Sequence, residues 1–282
     1  MMSQNATTTD ALNRLYLDLL KKTLRYWFWE DPGKPIETIA YRAGLFRPLV
    51  VGVARLLARM RLRIVVLQDQ ELEKNIPGAS WPACAHTMVS MQRLDNLQQL
   101  VTTVLREDVP GDLIETGVWR GGSCIFMKAI LAVHGDSTRR IFVADSFAGL
   151  PKPNAEQYPS DAGDKHHVHD FLAISKEQVE ENFRKYGLLD DRVVFLKGWF
   201  KDTLPAAPIE QLALMRLDGD MYESTMDALT NLYPKLSSGG FCIIDDYALR
   251  GCREAVDDFR TREKITAPLI EIDHYGRFWR KT

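Results

Sequence analysis

The chain has 282 residues, 45% apolar and 26% charged, enough for one large α/β domain or a domain with an extension. A net charge of −2 and a pI near 6.3 give no global basic field, which argues against nucleic acid as a partner. The four cysteines show no CxxC or metal-ligand spacing, no uncharged apolar stretch reaches the ~20 residues of a membrane span, and residues 1–10 lack a signal-peptide core, so a cytoplasmic protein is expected.

In chain order, residues 1–9 are polar and are expected to be disordered. Residues 10–29 carry Leu12, Leu15, Tyr16, Leu19, Leu20 and Leu24 at helical spacing, and Pro32-Gly33-Lys34-Pro35 ends that helix. Residues 36–67 form a basic, apolar, helical stretch with no acid between Glu37 and Asp69. It sets Arg42, Arg47, Arg55, Arg59, Arg61 and Arg63 among Leu49, Val53, Leu56, Leu57 and Met60. Residues 69–78 read as a polar connection, and helical periodicity returns over 81–105.

From Pro110 onward, strands and helices alternate. Strands are expected at 112–118, 140–145, 193–197, 212–217 and 241–244, and helices at 121–134, 175–186, 224–236 and 250–262. A long loop covers 146–171, and segments 269–272 and 277–280 flank a terminal hairpin. Repeated βα units predict a mostly parallel sheet with helices on both faces. The hairpin adds an antiparallel last strand, the arrangement of the class I S-adenosylmethionine (SAM) methyltransferase sheet. The expected fold is therefore α/β and Rossmann-like, with an N-terminal helical extension over 1–80 and the methyltransferase domain over 81–282.

The chemistry gathers at strand C-terminal ends, where an open α/β sheet binds its ligands. The first βα turn, Glu115-Thr116-Gly117-Val118-Trp119-Arg120-Gly121-Gly122-Ser123, opens a helix whose free amides suit a carboxylate or phosphate. Its spacing is neither the dinucleotide G-x-G-x-x-G nor a P-loop, which favours SAM over a nicotinamide cofactor. Asp145 ends the second strand, where a ribose diol would lie; its alternative is a turn-forming Asp. Trp199, after Gly198, is placed to cover adenine or else is core. Asp218 ends the fourth strand, and Asp245 and Asp246 end the fifth. Carboxylates at adjacent strand ends suit a hard cation such as Mg²⁺; the plainer alternative is that they cap the following helices.

These residues together resemble the macrocin O-methyltransferase family, the TylF/MycF/NovP type. The matching segments are A-H-T-M (85–88), R-L-D-N-L-Q (93–98), P-G-D-L-I-E-T-G-V-W-R-G-G (110–122) and V-A-D-S-F-A-G-L-P (143–151). They continue with N-F-R-K-Y-G-L-L-D-D (182–191), G-W-F-K-D-T-L-P (198–205), R-L-D-G-D-M-Y-E-S-T (216–225), Y-P-K-L-S (233–237) and I-I-D-D-Y (243–247). The resemblance implies a SAM- and Mg²⁺-dependent transfer of a methyl group to a sugar hydroxyl of a glycosylated natural product or glycolipid. It implies metal ligands Asp218, Asp245 and Asp246, with Asp218 also the general base. It implies SAM contacts at Glu115, Gly117, Ser123, Asp145 and Ser146, with Met88 near the sulfonium; Thr116, Gly121, Trp199 and Asp218 complete the expected SAM-contact set. His167, His169 and Tyr222 are the acceptor-contact candidates. Catechol O-methyltransferase, a distant likeness, has a base lysine three residues after its first metal aspartate; Met221 stands there in this chain, so a lysine base is not supported. A homodimer built on the N-terminal helices is also carried by the resemblance.

The His-rich run 164–170 reads as part of a substrate-covering loop, with a transition-metal site as the alternative. Competing functions are methylation of a phenol or catechol, a non-catalytic SAM- or glycan-binding module, and, weakest, an NAD oxidoreductase. The 36–67 stretch looks like an insertion relative to shorter antibiotic-pathway members. Its two readings are a dimer or lid-supporting contact, and peripheral attachment to the inner membrane face through arginines on an anionic surface.

Overall fold

The computed structural model describes residues 2–67 and 81–282. The expected connection at 69–78 lies outside the described residues. Helix α1 spans Met2–Leu24 and so begins ahead of the expected start at residue 10, correcting the disorder expected there for residues 2–9. Nothing in Ser3-Gln4-Asn5-Ala6-Thr7-Thr8-Thr9 is a glycine or proline that would break it. The inner face of α1 places Leu17, Leu20 and Leu24 in the main core.

Residues 34–35 and 65–66 form a short antiparallel ladder around the basic stretch. The stretch is not one helix. A 3-10 segment, Ile36–Phe46, breaks at Gly44 (φ 52°), and helix α2, Arg47–Arg59, follows with Pro48 in its first turn. No α2 residue is buried. Helix α3, Met91–Arg106, starts ten residues later than the periodicity suggested. Ser90 caps it by accepting from Arg93 N at 3.1 Å, which fixes the helix start there. Residues 81–90 instead form an irregular strap.

The sheet comprises β1 (Asp112–Thr116), β2 (Ile141–Asp145), β3 (Val193–Lys197), β4 (Leu212–Leu217), β5 (Leu236–Ile244), β6 (Ile270–Glu271) and β7 (Arg277–Arg280). Its order is β3-β2-β1-β4-β5-β7-β6; the first five strands are parallel and β7 is antiparallel to β5 and β6. This is the expected class I methyltransferase topology. The remaining helices are α4 (Gly122–Val133), α5 (Lys176–Lys185), the single turn α6 (Phe200–Thr203), α7 (Tyr222–Leu232) and α8 (Arg250–Arg262). One apolar core unites α1, α3, α4 and α5 with one sheet face; the other packs α7, α8 and Trp279 on the opposite face. Both faces are covered, so β4 is buried at every position.

Register sets up the site. Thr116 pairs with Ala144 and Leu217, and Leu217 pairs with Ile244. The next residues along, Asp145, Gly117, Asp218 and Asp245, therefore form one row at the sheet's C-terminal edge. The backbone bonds Gly117 N to Ala144 O (2.8 Å), Asp218 N to Thr116 O (2.9 Å) and Asp245 N to Leu217 O (2.9 Å) hold that row. Strand β1 stops at Thr116 rather than 118 because Gly117 turns the chain at φ +82°. Among the described residues, no helix is long and apolar enough to cross a membrane.

Candidate active site

A cavity of about 420 Å³ opens over this row, at the point where the strand order reverses between β1 and β4. The close approach of β1 and β4 demands glycine at 117: a Cβ there would lie 1.7 Å from Asp218 O. Gly121, also left-handed, precedes the first residue of α4, and Ser123 is buried at that helix's N-terminus beside the cavity. Of the residues expected to contact SAM, Met88, Glu115, Gly117, Ser123, Asp145, Ser146, Trp199 and Asp218 line the cavity. Thr116 and Gly121 do not line it. Thr116 is buried within β1, and a Cβ at Gly121 would meet Val179 at 2.7 Å, so that glycine serves packing against α5.

Asp145 accepts from the amides of Val118 (2.8 Å) and Phe147 (2.7 Å), tying the first and second βα turns together. Burial still raises its pKa despite these donors. The strap 81–90 closes the cavity's other side and is pinned from three directions. Arg25 donates to Met88 O (3.2 Å), Arg120 donates to Ala83 O and Ala85 O (both 2.7 Å), and His86 Nδ1 meets the Tyr186 hydroxyl at 2.7 Å. Burial, with Arg120 nearby, holds His86 down to about 4, so it is a neutral structural imidazole.

The carboxylates are distributed unevenly. Oxygens of Asp218, Asp220 and Asp246 all lie within 4.8 Å of one another. Asp245 sits beside them with its oxygens against Arg216 and Arg93. Arg216 is 2% exposed and also contacts Glu115 and Asp218, the latter at 2.9 Å. Arg93 additionally bonds Asp273 at 3.0 Å. Burial opposes the charge on Asp245, yet Arg216 and Arg93 hold its pKa below the ordinary carboxylate value. Burial, then repulsion by Asp246 and Asp245, drives Asp218 well above it. Burial and Asp220 do the same to Asp246. Burial pushes Asp220 up to about 7. Neither Asp218 nor Asp245 caps a helix: Met221 and Leu249 hold those positions, and the α7 amides of Tyr222 and Glu223 bond Asp161 instead (2.6 and 3.2 Å).

Asp161 belongs to the long loop after β2, which folds into three 3-10 turns over the cavity. Trp119 Nε1 donates to Phe171 O (2.9 Å) and Arg47 pairs with Asp170 (3.0 Å), fastening the loop's far end. The loop brings His166 to the cavity wall; His167 and His169 are not among the lining residues. Tyr222 is also outside the lining, its hydroxyl bonded to Asp258 at 3.0 Å. His166 Nδ1 meets Asp164 at 2.6 Å, and this bond pushes its pKa up to about 8. Three residues in or beside the cavity were not singled out from sequence: Arg216, Asp220 and His166. An arginine inside the apolar run of β4 was a readable signal of a buried charge partner. Asp220, two residues after Asp218, was another. Nothing in the run His166-His167-Val168-His169 separates one imidazole from the next.

The profile described as Macrocin-O-methyltransferase (TylF) matches residues 13–281. The 8-demethyl-8-(2,3-dimethoxy-alpha-L-rhamnosyl)-tetracenomycin-C 4'-O-methyltransferase of Streptomyces olivaceus is 50% identical over 275 residues, 97% of this chain and 95% of that protein. The demethyldecarbamoylnovobiocin O-methyltransferase of Streptomyces niveus is 44% identical over 284 residues, covering 99% and 98%. The solved O-methyltransferase NovP superposes with a TM-score of 0.81 at 44% identity over 96% of this chain and 99% of its own. Matches of this extent leave no room for a long insertion, so residues 36–67 are shared with antibiotic-pathway relatives, correcting the expectation that they were added. The chain belongs to the macrocin O-methyltransferase family and is an O-methyltransferase.

Proposed function

We propose that the chain transfers the methyl group of SAM to a sugar hydroxyl of a glycosylated natural product, with Mg²⁺ at the carboxylate cluster. The observation that carries this reading is the single cavity that joins the Asp145–Gly117 turn region to the Asp218/Asp220/Asp246 cluster. Support for the acceptor class comes from relatives named for a rhamnosylated tetracenomycin, demethyldecarbamoylnovobiocin and, at 44% identity, mycinamicin III. The family membership sets aside the non-catalytic alternative.

Hard, crowded oxygen donors fit Mg²⁺. Asp218, Asp246 and Asp220 would hold it. Asp245 stays in the ligand set, because each carboxylate oxygen keeps a lone pair while Arg93 and Arg216 fix its orientation. When bound, the cation supplies Lewis acidity that makes a coordinated hydroxyl more acidic. Asp145 is assigned to the ribose hydroxyls, Trp199 to the adenine face, and the α4 N-terminus with Ser123 to the methionine carboxylate. Asp218 orients the acceptor at the row's centre, where positioning and charge stabilisation lower the barrier. The loop carrying Leu150, Pro151, Phe171 and Leu172 keeps water from the reacting centre.

The test is an acceptor screen with labelled SAM across rhamnosyl and other deoxysugar conjugates, catechols and phenols, with mass spectrometry locating the methyl group. Glycosides should be labelled, labelling should stop after chelation, and Mg²⁺ should restore it. Labelling of catechols alone would establish the phenol alternative, and full turnover in chelator would remove the cation.

A further inference from the structure

We propose that Tyr275, at the tip of the terminal hairpin, binds and orients the acceptor sugar; this rests on the reading of a sugar hydroxyl as methyl acceptor. The sheet order places it. SAM is assigned to the turns after β1, β2 and β3, and the carboxylate cluster ends β4 and β5. The next neighbours outward are β7 and the turn between β6 and β7. Methyl transfer runs in line, so the attacking oxygen approaches the methyl group from the side opposite sulfur. With the cofactor on the β1 side of the cluster, the body of the acceptor lies toward β5 and β7. There the cavity wall is made by Leu249, Arg93 and Tyr275.

Arg93 is committed to Asp245 and Asp273, and Leu249 offers only apolar surface. Tyr275 differs: its amide donates to Asp273 (2.9 Å), and among the described residues its hydroxyl has no hydrogen-bond partner. A phenol both donates and accepts, and its ring presents an apolar face, a match for the hydroxyls and C–H faces of a sugar. The tip is held in place by the protein itself. Buried Asp273 also accepts from Ser90 Oγ (2.6 Å), Arg93 Nε (3.0 Å) and Gly276 N (2.7 Å). Ile272 N closes the turn on Gly276 O (3.0 Å), and a Cβ at Gly276 would lie 3.0 Å from Arg93 Cδ. A tyrosine on such a support loses little conformational freedom when it binds. Arg93 connects it to the reacting end: its guanidinium lies 5.6 Å from the Tyr275 ring centroid, and its Nη1 contacts Asp245. A sugar with one hydroxyl at the cluster therefore has its ring beside Tyr275.

The experiment uses the full chain, SAM, Mg²⁺ and two glycosides from the acceptor screen that share a sugar and differ in aglycone. Tyr275→Phe should raise acceptor KM about 3–10-fold, the effect of one lost neutral hydrogen bond, with kcat within about threefold of wild type. Tyr275→Ala should raise acceptor KM at least ~10-fold, and to the same extent for both glycosides. Calorimetric affinities for S-adenosylhomocysteine and for Mg²⁺ should stay within about twofold of wild type in both variants. That split separates contact with the sugar from mere support, since a ring that only braced Arg93 would pass its loss to Asp245 and weaken Mg²⁺ binding instead. Thermal unfolding checks that both variants fold. A Tyr275→Phe acceptor KM within about twofold of wild type, a loss in Tyr275→Ala seen with one aglycone only, or Mg²⁺ binding weakened as much as the acceptor each overturns the assignment. If instead wild-type protein methylates no glycoside, the underlying function reading fails, which the wild-type assay shows before any variant is made.

Discussion

Replacing Arg216 by Met tests whether one buried cation holds the site together. Arg216 sits on β4, opposite Glu115 on β1 and Ile243 on β5, and touches Glu115, Asp218 and Asp245. Methionine fills similar space but leaves Glu115, also 2% exposed, with no cation against it. Breaking a buried pair from one side costs about 3–5 kcal/mol. For a chain of 282 residues that is a fall in Tm of about 5–8 °C. The assay is thermal unfolding by circular dichroism, with SAM affinity measured in parallel by calorimetry. The double variant Glu115→Gln with Arg216→Met should recover part of the loss, because the uncompensated carboxylate is gone, and the double-mutant cycle isolates the pair. A Tm for Arg216→Met within about 2 °C of wild type would refute the reasoning, since it would mean the buried carboxylates need no partner.

Asp218→Asn should reduce turnover at least ~100-fold while SAM still binds with about wild-type affinity, checked by product mass spectrometry and calorimetry; normal turnover with added Mg²⁺ would sink the role assigned to Asp218. Asp220 titrates in the folded protein at about 7, above its ordinary value, so the protonated form carries the stability. Without cation, that stability is present at low pH and is lost as pH rises towards 7; the Tm of Asp220→Asn should fall less than wild type over this window. Mg²⁺ binding should accordingly tighten with pH and release protons, seen as buffer-dependent heat in calorimetry. The outer row of α2 and its end, Leu49, Val53, Leu56 and Met60, is 43–65% exposed, and is where self-association or lipid contact would occur. Changing all four to Gln should shift sedimentation to a smaller species if the row joins copies of the chain; salt-sensitive flotation with anionic vesicles that is lost on Arg55, Arg59, Arg61 and Arg63→Gln would favour lipid instead.

The apolar row on α2 also explains why the 36–67 stretch reads ambiguously. Val50, Val51, Ala54 and Leu57, on its other side, are only half-buried, so two apolar stripes share one short helix. A sequence pattern reports how much of a helix is apolar, and here that exceeds what the rest of the described chain covers.

Much of this protein was legible from residues alone. The strands at 193–197 and 212–217 and the helix at 250–262 coincide with the observed elements, because period and composition are local properties. The row of site residues was legible for the same reason: polar groups that end apolar strands in a βα series meet at one edge. Boundaries failed where a local device overrode the period. Ser90 capped α3 late, and Pro234 turned the end of α7 into the 3-10 segment Tyr233–Lys235. Tertiary structure alone decided which charges are neighbours. Glu115 and Arg216 are 101 residues apart and Arg93 and Asp245 152 apart, and only strand register and the seating of α3 bring them together. It also put His166, rather than His167 or His169, on the cavity wall, since three imidazoles in one loop differ only in where the 3-10 turns and the Asp164 bonds point them. Period is written in adjacent residues, whereas proximity across the chain depends on packing that no window of sequence contains.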